Sequence, residues 1–180
     1  MHPIRLAAAL AALSLAWSLP ASAQEMVDAP PPPLAAGTRA PAFTTQTLGG
    51  KPLSLRDLRG KVVLLDYWAT WCGPCRMAVP TLRALQQKFH SRGFSVVGMS
   101  MDQADTLAQV GPFVKAMHLT YPVTVGPVAN ARAQAAYHAV ALPSQYLIDK
   151  KGIVRWSQAG YSLNEGQELS GLIQKLLAER

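Results

Sequence analysis

The apolar run Val62-Val63-Leu64-Leu65 has the composition of a buried strand, and Met77 to Phe89 carries apolar residues at helical spacing. Between them stands Trp71-Cys72-Gly73-Pro74-Cys75, which holds both cysteines of the chain. Two thiols at this spacing can close into a small disulfide ring and reopen without disturbing the rest of a fold. Where a strand gives way to a helix, the unpaired backbone N–H groups and the positive end of the helix dipole favour a thiolate over a thiol. Such a setting draws a cysteine pKa from about 8.5 toward 7 or below. The residues and their placement therefore point to redox chemistry. No cysteine is left over for a structural disulfide framework.

The amino-terminal segment, residues 1–23, reads as a secretory signal peptide. His2 and Arg5 form a short basic start, Leu6 to Leu19 is apolar, and Ala21-Ser22-Ala23 is a small-residue cleavage site. The apolar part is shorter than the roughly 20 residues that span a bilayer, so an uncleaved membrane anchor is the weaker reading. A periplasmic location is expected, where disulfides persist and a reduced pair must be kept reduced by a partner. Residues 24–37 follow as a proline-rich linker, with Pro30 through Pro33 in a row, expected as an extended tether. Residues 38–180 supply one domain's worth of chain. The formal net charge of +7 is spread along the sequence, with no arginine-rich helix or aromatic-basic interleaving, which argues against nucleic acid.

Within that domain, Phe43 to Thr47 and Pro52 to Leu55 flank Gly49-Gly50 and predict a hairpin. Leu55 to Leu58 predicts one helical turn, closed by Gly60. Strands are expected at Lys61–Tyr67, Phe94–Ser100, Tyr121–Val125, Ser144–Ile148 and Ile153–Gln158. Helices are expected from Cys72 or Pro74 to His90, kinked at Pro80, then at Thr106–His118, Val128–His138 and Asn164–Ala178. Gly111-Pro112 should interrupt the second of these. Strands alternating with helices, then a terminal hairpin and helix, predict an α/β sandwich around a mixed sheet.

With these motifs placed, the chain resembles the thioredoxin-fold, exported thiol-disulfide oxidoreductases of the TlpA/ResA/CcmG group. The resemblance runs from about Thr38 to Arg180 and rests on the hairpin, on Val62 to Pro80 (VVLLDYWATWCGPCRMAVP), on the inserted helix and on Leu142 to Asp149. It implies a mixed central sheet flanked by helices, with an amino-terminal β-hairpin and an inserted helix. It implies that Cys72 is the exposed nucleophile, that Cys75 is the buried resolving cysteine, and that Pro143 is the cis-proline facing the active site. Trp71, Gly73, Pro74 and Leu142 would line the surface that receives the partner. It further implies a monomer with no cofactor and no metal, which reduces disulfides in exported proteins. Its electrons would come from a membrane donor of the DsbD or CcdA type.

Asp66 lies in the middle of an apolar strand, where an unpaired charge is costly. Burial there would raise its pKa and suit acid/base work; the other reading is a carboxylate turned outward at the strand end. By resemblance it matches the buried aspartate of thioredoxins, thought to move the proton of the resolving cysteine. Two positions depart from the relatives. Ala78 stands where the ResA branch usually has glutamate, and Gly98 falls near the lysine of true thioredoxins. Arg76 either favours the thiolate or is a solvated first-turn residue, while Trp68, Met99 and Met101 read as core.

Two other chemistries share this fold. Thiol peroxidases need a threonine three residues before the cysteine, and here that position is Ala69. Sco-like copper-handling modules space their cysteines by three residues and add a histidine, for which His138 would be the candidate. His138 reads more simply as a surface residue.

Overall fold

A computed structural model describes residues 31–179. The expected signal peptide, and the linker up to residue 30, lie outside the described residues. The elements, in chain order, are strands β1 (Thr44–Gln46), β2 (Pro52–Ser54) and β3 (Val62–Trp68), helix α1 (Gly73–Phe89), strand β4 (Phe94–Ser100) and helix α2 (Val110–Ala116). Strand β5 (Val123–Thr124), helix α3 (Pro127–Ala136), strands β6 (Ser144–Ile148) and β7 (Val154–Ala159), and helix α4 (Glu165–Ala178) complete the fold. Among the described residues no helix is long and apolar enough to cross a membrane.

Five strands form one mixed sheet in the order β5-β4-β3-β6-β7. β3 is central, parallel to β4 and antiparallel to β6, and all of its residues are buried. This explains its composition, because a strand covered on both faces cannot alternate apolar with polar residues. Leu64, Leu65, Val96 and Val97 are wholly inaccessible, and each contributes about 1.5–3 kcal/mol on burial. Alternation along β3 sends Tyr67 toward Tyr137, just past α3, at a ring separation of 5.9 Å. Trp68 points the other way and stacks on Phe113 of α2 at 4.8 Å. α1 and α4 pack against each other.

Strands β4 and β6 have the boundaries expected from sequence, and β3 is shifted by one residue. β5 is shorter than the expected Tyr121–Val125, because within the five-stranded sheet it pairs only with Gly98 and Met99. Gly111 and Pro112 do not break a helix. They lie in the first turn of α2, after a 3-10 turn at Leu107–Gln109, and proline is tolerated there because first-turn N–H groups have no helical partner. α1 runs unbroken through Pro80 to Phe89, and the 3-10 turn that follows it (His90–Arg92) is closed by Gly93, whose φ of 93° suits a residue without a side chain.

The β1–β2 hairpin is a separate sheet, joined to the core by the bridge between Thr47 and Thr124 and by the 2.7 Å bond that Thr45 Oγ1 donates to Asn130 Oδ1. Residues 31–37, the described part of the stretch expected as a tether, run beside β7. Gly37 N donates to Val154 O (2.7 Å), and Ser157 Oγ donates to Leu34 O (2.8 Å).

Candidate active site

Cys72 and Cys75 are joined as a disulfide, with Cα atoms 5.3 Å apart. Cys72 is the N-cap of α1, with φ −81° and ψ 106°, and its Sγ accepts from Cys75 N at 3.2 Å. Sulfur thus occupies the place of the usual capping oxygen, where a helix start offers its unpaired N–H groups. Pro74, in the first turn, has no N–H to leave unsatisfied. The two cysteines were expected to differ in access. In the disulfide both are covered, Cys72 being 5 % exposed and Cys75 3 %. Bonded to each other, neither sulfur faces solvent as a free thiol would, so the asymmetry that remains is position at the helix start.

Around the pair the surface is open. Trp71 is 62 % exposed, and Gly73 and Pro74 are exposed. A Cβ at Gly73 would meet nothing within 4 Å, so no contact inside the fold requires glycine there. The Leu142–Pro143 peptide is cis. Since Tyr67 pairs with Ser144, Pro143 lies at the end of the sheet where β3 leaves for Cys72. Gly160 N donates to Pro143 O (2.7 Å), and Ser144 Oγ donates to Ala141 O (2.6 Å), which fixes this loop. Half-buried Leu142 keeps a backbone N–H and C=O without partners among the described residues.

A buried aspartate that the sequence reading passed over anchors the loop leading to the cysteines. Asp102 is wholly inaccessible, and its carboxylate accepts from Thr70 N (3.0 Å), Thr70 Oγ1 (2.5 Å) and Ser100 Oγ (2.9 Å). Three donors offset much of the cost of burying that charge. Arg76 reaches back to the same loop. Its Nε and Nη2 donate to Thr70 O (3.2 and 2.9 Å), and its guanidinium lies 5.3 Å from the centre of the Phe113 ring. Arg76 thus clamps Thr70 while remaining exposed to solvent. Asn130 extends the network by donating to Ser100 O (2.7 Å) while accepting from Thr45 and Thr124. The available signal for Asp102 was a lone acid directly after an apolar strand.

Asp66 is turned inward, 3 % exposed, and its Oδ1 accepts a 3.2 Å hydrogen bond from Gln145 Nε2. The outward-facing alternative does not hold. Burial pushes the Asp66 carboxyl up to about 7, against the opposing effect of the Gln145 bond and with a further push from Glu165. An acid poised there can give or take a proton near neutrality.

Ala69 and Ala78 are both wholly buried among apolar residues. His138 Nδ1 lies 3.2 Å from Pro32 O and is engaged with the amino-terminal stretch. Among the described residues no group of three or more His, Cys, Asp or Glu side chains is placed to hold a metal ion.

Comparison with known proteins gives concordant results. Residues 36–157 match the AhpC/TSA family. The thioredoxin-like protein YneN of Bacillus subtilis is 35% identical over 120 residues, covering 66% of this chain and 68% of that one. The thiol-disulfide oxidoreductase ResA of Bacillus cereus is 34% identical over 140 residues, 78% of each chain. Among solved structures, a candidate thiol:disulfide interchange protein DsbE from Chlorobium tepidum superposes with a TM-score of 0.74 at 30% identity. It covers 81% of this chain and 99% of that one.

Proposed function

From the premise that this chain belongs to the AhpC/TSA family of thioredoxin-like proteins and is a thiol-disulfide oxidoreductase, we propose that it acts outside the cytoplasm as a protein-disulfide reductase. The observation that carries this reading is the Cys72–Cys75 pair at the start of α1, the helix that follows the strand bearing buried Asp66, whose carboxyl burial pushes up to about 7. Residues 1–23 are read as its export signal, residues 24–37 as a linker and residues 38–180 as its catalytic domain.

In the reduced enzyme the Cys72 thiolate attacks one sulfur of a partner disulfide. A mixed disulfide forms and the partner's other sulfur leaves as a thiolate. Cys75 then loses its proton to Asp66, and its thiolate attacks Cys72 Sγ. The partner's second sulfur is expelled, and Cys72–Cys75 is left oxidised. Two electrons have passed to the partner, and a membrane donor of the DsbD or CcdA type returns them. The free backbone edge at Leu142, beside cis-Pro143, offers hydrogen bonds to an extended partner segment, and Trp71, Gly73 and Pro74 give it an open apolar floor. A peroxidase role lacks support at the position where it would need it, since Ala69 offers no polar group.

The test is to express Cys75→Ala in the periplasm. Without the resolving thiol, Cys72 should remain covalently bound to its targets, to be identified by mass spectrometry, while Cys72→Ala should trap nothing. Equal trapping by both variants would reject the assignment of roles.

A further inference from the structure

We propose that the cavity walled by Arg39, Arg56 and Arg59, at the end of the sheet away from the cysteines, binds the phosphate group of an organic phosphate monoester. The site is separate from the thiol chemistry. β3 runs from this end toward Cys72, and its 7 residues at about 3.3 Å each put about 20 Å between the two.

Two stretches of chain bring the three arginines together. Leu55–Leu58 is a 3-10 turn whose Leu55 and Leu58 are buried. With three residues to a turn, Arg56 and Arg59 fall on one common side of it, and both are exposed. Arg39 arrives on a neighbouring stretch, where it bridges to Ile153 and Ala40 N donates to Gly152 O (2.9 Å). The same Gly152 turn seats Arg59. Arg59 Nη1 donates to Lys151 O, and a Cβ on Gly152 would come within 2.9 Å of that nitrogen.

The cavity measures about 410 Å³, with Ala40, Pro41 and Leu55 as an apolar floor, and no acid lines it. Asp57, the neighbour of Arg56 in sequence, turns its Oδ2 to Ser54 N and Oγ (2.8 and 2.7 Å). Among the described residues no ion pair engages any of the three arginines, and no hydrogen bond engages the side chain of Arg39 or Arg56. Like charges gathered without a counterion repel one another, and an external anion relieves them.

Guanidinium forks match phosphate oxygens in pairs and keep their charge at every working pH. A carboxylate offers two oxygens in one plane. A phosphate monoester offers three around a tetrahedron, with nearly two charges at neutrality, which suits three forks arriving from two stretches of chain. The cavity is roomier than a phosphate group alone, and its apolar floor fits the organic part of the ester.

Amide NMR titration of the oxidised protein with phenyl phosphate tests the site. Saturable shifts should gather at residues 39–42 and 55–59, and inorganic phosphate should move the same signals. Arg39→Gln and Arg56→Gln should each weaken binding at least about tenfold. Lys115→Gln, which removes an exposed cation on α2, should leave it unchanged. Shifts that never saturate, or equal weakening in Lys115→Gln, would overturn the proposal. Phosphatidylcholine vesicles with and without phosphatidic acid distinguish the sources of the ester. Retention that needs both phosphatidic acid and Arg56 assigns a lipid headgroup, and any other pattern assigns a soluble ester. Disulfide exchange should run at the unaltered rate in Arg39→Gln and Arg56→Gln; a slowed rate would overturn the separation of this site from the thiols.

Discussion

Gly98 lies opposite Asp66 in the β3–β4 register, and a side chain there has no room. A Cβ on Gly98 would come within 2.8 Å of Trp68 Nε1 and 3.4 Å of both Tyr121 and Val123. The site near which thioredoxins carry a lysine is filled by an indole, itself buried without a hydrogen-bond partner among the described residues. Among the described residues no cation bonds to Asp66, and its proton affinity is governed by burial and by its polar neighbours instead.

Gly98→Ala should therefore destabilise the fold by overpacking, at about 1–3 kcal/mol. Urea unfolding gives the figure. A midpoint equal to that of the unaltered chain would mean that the indole moves aside freely.

Asp66 makes stability depend on pH with a defined sign. Its midpoint is near 7 in the folded chain against 3.8 as a free carboxyl, so between those values the native state keeps a proton that the unfolded state has lost. Stability should fall as pH rises through that window and level off above it, by up to about 4 kcal/mol. Asp66→Asn removes this contribution. It should unfold at higher urea than the unaltered chain at about pH 8, with the gap closing toward about pH 4. Parallel curves for the two proteins would contradict an inward, protonated Asp66.

Removing the carboxylate of Asp102 strands Thr70 N–H, Thr70 Oγ1 and Ser100 Oγ together. Asp102→Ala should cost at least about 2 kcal/mol by urea unfolding, since each buried group left unpaired costs about 1–3 kcal/mol. It should also slow disulfide exchange by loosening the loop before Cys72. A stable variant with unchanged exchange would show that Arg76 alone holds Thr70.

Much of this was legible in the sequence, and what was missed shares one cause. β3, β4 and β6 announce themselves because central strands covered on both faces are largely apolar, and the cysteine pair marks the start of α1 by its spacing. Edge strand β5 has few partners, so its ends followed contacts that local pattern does not encode. The cis bond before Pro143 came from family resemblance, since local sequence leaves most such bonds trans. Asp102, Asn130 and Gln145 escaped notice because they have partners far along the chain. Thr70 is 32 residues from Asp102, Asp66 is 79 from Gln145, and Thr45 is 85 from Asn130. A polar residue in a buried strand, as in Ser144-Gln145-Tyr146-Leu147-Ile148, was the available hint.

The most direct measurement is the rate at which iodoacetamide alkylates each thiol of the fully reduced protein as pH is varied. Cys72 should react first, with a midpoint below the ordinary cysteine value of about 8.5, while Cys75 lags until much higher pH. Faster labelling of Cys75, or two thiols inert at neutral pH, would contradict the account of Cys72 as the attacking sulfur.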